Sequence, residues 1–215
     1  MKRRVKAAAA LVLAAVLAFT GCGGSKFDAS AYVKSCLDVL TRAETKEYTA
    51  LTKRSEEQAK KDYENNLDTM MAAFDGLGLS EELLGKYRVF YADLLNQTKY
   101  EVKEAKEAEK KGDYTVDVEI EQVTGVFNGI QEELNAEAEA YAAELQASGE
   151  VLDDTAINEW VYSTMLDLLN ARMDKVSYNE KQTVTVHVEL NDDTYDIPAA
   201  DYDALDAALI DTGDL

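Results

Sequence analysis

Apolar positions recur along this chain at two spacings, and the switches between them mark its elements. Between Asp28 and Arg42, the residues Tyr32, Val33, Cys36, Leu37 and Leu40 fall on one stripe with the three-to-four-residue period of an amphipathic helix. Asp28 or Ser30 supplies the side-chain oxygen that caps it. A short helical segment follows over Thr45 to Thr52. Ser55-Glu56-Glu57-Gln58 is a capping box, and it opens a helix that runs to about Phe74 and stops at Gly76. Ser80 caps another, whose apolar face is Leu83, Leu84, Tyr87, Tyr91, Leu94 and Leu95. The period then shortens to two: Tyr114, Val116, Val118 and Ile120 alternate with Thr115, Asp117, Glu119 and Glu121, which predicts a strand buried on one side.

The same order recurs. Phe127, Ile130, Leu134, Ala138, Tyr141 and Leu145 keep helical spacing until Gly149, and Asp154 caps a helix carrying Ile157, Trp160, Val161, Met165, Leu168 and Leu169. Val184, Val186, Val188 and Leu190 form a strand. The halves align without gaps at a shift of 74 residues, which lays Asp93-Leu94-Leu95-Asn96 on Asp167-Leu168-Leu169-Asn170, and strand Tyr114 to Ile120 falls on Val184 to Leu190 at a shift of 70. This reads as an internal duplication of a helix-helix-strand-strand unit over about 55–123 and 125–197. Because Met173 to Gln182 has little helix preference, its counterpart from Thr98 onward is expected to begin as a strand. The expected fold is α+β, with an antiparallel sheet of about four strands covered on one face by helices. Asn191-Asp192-Asp193-Thr194 turns into a last short strand near Tyr195 to Ile197, and the helix after Pro198 buries Tyr202, Leu205 and Leu209.

The amino-terminal region breaks both patterns. Lys2, Arg3, Arg4 and Lys6 precede a wholly apolar run from Ala7 to Phe19, the two parts of an export signal. A spanning helix needs about 20 apolar residues, and this run breaks at Thr20-Gly21-Cys22-Gly23-Gly24. Phe19-Thr20-Gly21-Cys22 resembles the lipobox of bacterial lipoproteins, with Phe19 in place of the usual Leu. That resemblance implies a signal peptide over 1–21, acylation of Cys22 by a diacylglyceryl group and palmitate-type chains, a short tether over 22–27 and one α+β domain over 28–215. Several acyl chains give stable anchoring where one does not.

Removing residues 1–21 leaves 18 basic against 42 acidic side chains, a net charge of −24. Such a domain repels nucleic acid and bare anionic lipid, so its membrane contact is expected through Cys22 and its other partner is an unknown protein or small molecule. With Cys22 consumed, Cys36 has no disulfide partner, and its place on a helical stripe marks a buried structural thiol.

Chemistry is sparse. His187, the single histidine, shares a strand face with Thr185 and Glu189 opposite the valines and is expected to face solvent. No nucleophile elbow, phosphate-binding glycine loop or paired His/Cys spacing is present, so no catalytic residue, cofactor or metal site is expected. Asn191, Asp192, Asp193 and Asp196 lack the spacing of a calcium loop and read as a hairpin turn. Twelve tyrosines stand against five phenylalanines and one tryptophan. Tyr32, Tyr87, Tyr91, Tyr141 and Tyr202 are expected at the rim of the core with wet hydroxyls; Tyr48, Tyr63 and Tyr162 are candidates for an exposed aromatic platform.

The opening Phe27-Asp28-Ala29-Ser30-Ala31-Tyr32, the pair Leu51-Thr52 followed by Ser55-Glu56-Glu57-Gln58-Ala59, and the stretches Leu79-Ser80-Glu81-Glu82-Leu83 and Tyr100-Glu101-Val102 are similar to small uncharacterised lipoproteins of Gram-positive gut bacteria that share a domain of unknown function. The resemblance implies a location on the outer face of the cell membrane and brings no activity or site residue. The function expected from all this is a non-enzymatic binding or accessory module at the cell surface. The alternatives are a small-molecule carrier with a pocket between helices and sheet, and third an enzyme of unrecognised type.

Overall fold

The structure, a computed structural model, describes residues 19–20 and 27–213. Cys22 and the apolar run before it lie outside the described residues, apart from the two-residue strand β1 (Phe19–Thr20).

Helix α1 (Ala29–Arg42) starts where Asp28 Oδ1 accepts the Ala31 N–H at 3.0 Å, and ends at Ala43, whose φ of 55° turns the chain left-handed. Helix α2 (Lys46–Leu51) follows. Ser55 and Gln58 exchange hydrogen bonds as a complete capping box at the start of α3 (Glu56–Met71), which ends in a 3₁₀ turn over Ala72–Phe74. Ser80 caps α4 (Glu81–Asn96). The chain then lays down β2 (Lys99–Val102), β3 (Lys106–Glu107), β4 (Tyr114–Glu121) and β5 (Val123–Thr124). Helices α5 (Ile130–Ser148) and α6 (Asp154–Met173) form a hairpin, followed by β6 (Ser177–Tyr178), β7 (Gln182–Asn191), β8 (Thr194–Asp196) and α7 (Ala199–Leu209).

The sheet is antiparallel throughout and runs β1-β8-β7-β4-β2, with β3 also paired to β4. Four strands carry it, β2, β4, β7 and β8, as the alternation predicts. Residue 99 does begin a strand rather than a continued helix, because Tyr100 and Val102 face the core while Lys99 and Glu101 face out. Val116 lies across from Val186, its counterpart at the shift of 70.

Val116, Val118, Ile120, Val186 and Val188 are buried on one face, where α1 and α7 pack on the sheet; α3, α4 and α6 extend the same core outward. A fully buried aliphatic side chain stabilises by about 1.5–3 kcal/mol relative to exposure, and this face holds five.

Several expectations are corrected. The α6 cap is Asp153, whose Oδ1 accepts the Ala156 N–H at 2.8 Å, one residue before Asp154. Phe127 precedes its helix, which begins at Ile130. The order helix, helix, strand, strand is traversed twice, but the units differ in pairing: β2 pairs with β4, whereas β6 pairs with β5. Among the described residues no helix is long and apolar enough to cross a membrane.

Candidate functional site

A dense polar cluster lies where α1 meets β2. Asp38 is 4% exposed although it sits among apolar neighbours on α1. Its carboxylate accepts from Lys34 and Arg42 one turn on either side, and from the Tyr100 hydroxyl at 2.7 Å. Arg42 also donates to the Tyr100 oxygen and to the Thr98 carbonyl at 2.8 Å, with its guanidinium 4.4 Å from the centre of the Tyr100 ring. Burial holds the Tyr100 hydroxyl above the ordinary phenol range, so it remains a donor. A cleft of about 580 Å³ opens beside this cluster, lined by Asp38, Glu44, Thr45, Lys46, Glu47 and Ala50.

That volume suits a small ligand. With three donors on it, Asp38 is an anchor that fixes the end of α1 against β2 rather than a free base. The sequence signal for it was a carboxylate two residues after Cys36, inside the buried stretch of an amphipathic helix, and the apolar stripe alone passes over it.

A second cleft, of about 500 Å³, lies where the chain enters the fold, between Phe27, Asp28, Ser30, Lys103, Ala105 and Tyr114. Ser30 Oγ donates to the Lys103 carbonyl at 2.9 Å and accepts the Ala105 N–H at 2.8 Å, so the first turn of α1 is stapled to the loop after β2. Phe27 stacks on Tyr195 with ring centres 3.6 Å apart and planes 3° from parallel, and Tyr114 and Tyr32 flank it. A third cleft, of about 390 Å³, lies between α3 and α4 beside Phe74, Leu84 and Arg88.

The residues singled out from the sequence distribute as follows. His187 faces solvent, with Nδ1 2.9 Å from Asp201 Oδ2. The same oxygen accepts the His187 backbone N–H at 2.6 Å. Asp201 thereby satisfies the edge of β7 beyond the end of β8 and ties α7 to the sheet, which is a structural task. On the same face the Thr185 hydroxyl donates to Asp117. Cys36 is fully buried beneath Tyr32 and Tyr202, and burial pushes its thiol well above the usual value, which makes it inert. Asn191 to Thr194 form the hairpin turn, with Asp192 at a φ of 56°. Among the described residues no group of three or more His, Cys, Asp or Glu is placed to hold a metal ion.

The tyrosines differ from expectation. Tyr32, Tyr87, Tyr91 and Tyr202 are inside the core rather than at a wet rim; Tyr32 donates to the Tyr195 carbonyl and Tyr87 to the Tyr162 carbonyl. Burial raises the Tyr91 hydroxyl to about 12. Tyr48 and Tyr162 are buried and Tyr63 is half-buried against the core, so the three form no exposed platform. Tyr141 instead stacks on Trp160 between α5 and α6, at 4.3 Å and 8°. A helical period places such rings on an apolar face but does not say how many layers of helix will cover it.

No protein-family model matches the chain, and no curated protein matches it. Among solved structures it is similar to ycdA from Bacillus subtilis, a protein provisionally described as a lipoprotein, with a TM-score of 0.57 and 15% identity over 86% of this chain. The chain spans 57% of the length of that structure. At this identity the likeness concerns the fold.

Proposed function

We propose that this chain is an exported lipoprotein, held at the extracytoplasmic face of the membrane through acylated Cys22, whose folded domain is a non-enzymatic binding or accessory module. The observation that carries the reading is the sequence up to Cys22: four basic residues, thirteen apolar ones, then small residues and a cysteine. The body of the domain begins at Phe27, so four residues separate it from Cys22. At roughly 3.5 Å per extended residue such a tether keeps the domain next to the bilayer. The likeness to ycdA, itself provisionally described as a lipoprotein, supports the same assignment.

Within this reading the helix–sheet interface is filled by aliphatic side chains, so a carried small molecule is better accommodated in the cleft beside Asp38 than between helices and sheet. A protein partner is the reading favoured here because the clefts described are open to solvent rather than enclosed. The test is fractionation with intact mass. The parent chain is expected in the membrane with a lipid-sized mass increment at Cys22, and Cys22→Ala in the soluble fraction. A membrane-bound Cys22→Ala chain would overturn the anchor.

A further inference from the structure

The helical hairpin α5–α6 carries a large share of the chain's net negative charge. Between Ile130 and Met173 there are ten carboxylates and one basic residue, Arg172. Arg172 points back to the body, donating to the Val126 and Asn128 carbonyls and pairing with Glu133 at the root of α5. Ion pairs on α1, α3, α4 and the outer sheet face offset the carboxylates there, whereas residues 182–213 share the hairpin's acidic excess. Among the described residues none of the carboxylates from Glu137 to Asp154 forms an ion pair.

This acidic hairpin is also the least covered part of the fold. α5 packs chiefly on α6, and only Ile130 and Leu134, at its root, are buried. Val151 is 92% and Ile157 44% exposed, two of the three large apolar side chains left open among the described residues. On the same hairpin the Tyr141–Trp160 stack is half-buried. A partly open aromatic pair and exposed aliphatic residues on one hairpin, among unpaired carboxylates, have the composition of an interface rather than of a solvated helix.

The charge decides the occupant. A second copy would set the same excess of carboxylates against itself, and anionic lipid or nucleic acid would be repelled in the same way. The hairpin is rooted where β4 ends and β7 begins, the opposite end of the sheet from Phe27, Tyr114 and Tyr195. We infer that the distal α5–α6 hairpin is a docking surface for a cationic amphipathic polypeptide segment, whose apolar side covers Val151, Ile157 and the aromatic pair while its basic side meets Glu137, Glu144 and Glu150. This names the partner class of the binding module proposed above, and it does not require the lipid anchor.

The single tryptophan of the chain is in this surface and reports on it. The full chain in non-ionic detergent is titrated with a synthetic amphipathic helix of leucine and lysine that lacks tryptophan. A saturable change in Trp160 emission at one peptide per chain is expected. Glu137→Lys/Glu144→Lys/Glu150→Lys should weaken it by roughly tenfold or more, and Ile157→Ser with Val151→Ser by a comparable factor. A control with the same change in net charge at exposed positions elsewhere, Glu57→Lys/Glu109→Lys/Glu180→Lys, should stay within about twofold of the parent. Unchanged circular dichroism shows that the variants are folded. Absence of saturation, or equal weakening by the control, overturns the inference; neither result bears on Cys22, which fractionation tests separately.

Discussion

Residues whose roles depend on a partner far along the chain account for most of what is specific to this molecule. Asp38, Arg42 and Tyr100 lock α1 to β2 across a sequence separation of about sixty residues. Gly112 is a second case. Its φ is 97°, in the left-handed region, and an added Cβ would lie 2.8 Å from Leu190 Cδ2. The turn it belongs to is held from both sides, since Lys110 donates to the Leu190 carbonyl and the Leu190 N–H donates to Asp113. Gly112→Ala is therefore expected to cost about 1–2 kcal/mol, read as a lower urea midpoint with an unchanged slope.

At the scale of elements, the sheet shows how a polar face is organised without being a site. On the outer face Lys103 bridges Glu101 and Glu119, Lys181 bridges the same two, and Lys106 reaches Asp117. Hydrogen bonds from Lys103, Lys106 and Lys181 hold Glu101, Asp117 and Glu119 respectively below their usual carboxylate values. A depressed native value makes the contribution to stability complete above the unfolded value, about 3.9 for Asp and 4.3 for Glu, and removes it as pH falls through the native value. Lys103→Met/Lys181→Met should then lose less stability than the parent on acidification from about pH 4.5 to 2.5 while differing little at pH 7, because exposed pairs are weak. Urea midpoints measured across that range decide it. Cross-strand charge pairing also supports the register in which Glu101 faces Glu119, two carboxylates that would repel without the lysines between them.

For the whole molecule, the buried side chains of the helices and the sheet join in one cluster. Ile120 is fully buried in it at the end of β4 where β2 and β7 both pair. Ile120→Ala is expected to cost about 2–5 kcal/mol and to preserve a single unfolding transition seen alike by fluorescence and circular dichroism. Two separate transitions would mean that the hairpin α5–α6 unfolds on its own. The ends of the sheet differ in character: an aromatic cluster around Phe27 lies at one end, and the acidic hairpin is rooted at the other.

Much of this organisation was legible in the sequence because it rests on local physics. Caps at Asp28, Ser55 and Ser80, the alternation of β4 and β7, and the turn at Asn191 to Thr194 are set by hydrogen bonds within a few residues and by which side of an element meets water. The α+β class follows from those periods. What required the tertiary structure is whatever depends on how many layers cover a face and on which distant element arrives there. A helical stripe does not distinguish a rim from an interior, so Tyr32, Tyr48, Tyr87 and Tyr202 were placed too near the surface. Nor does it reveal that Asp38 would meet a tyrosine of β2, or that Trp160 would stack on Tyr141 in a helical pair left largely open. The sequence determined the elements and the charge they carry; only their packing decided that the α5–α6 hairpin stays largely uncovered with its distal carboxylates unpaired, because burial and ion pairing depend on neighbours in space and not on neighbours in sequence.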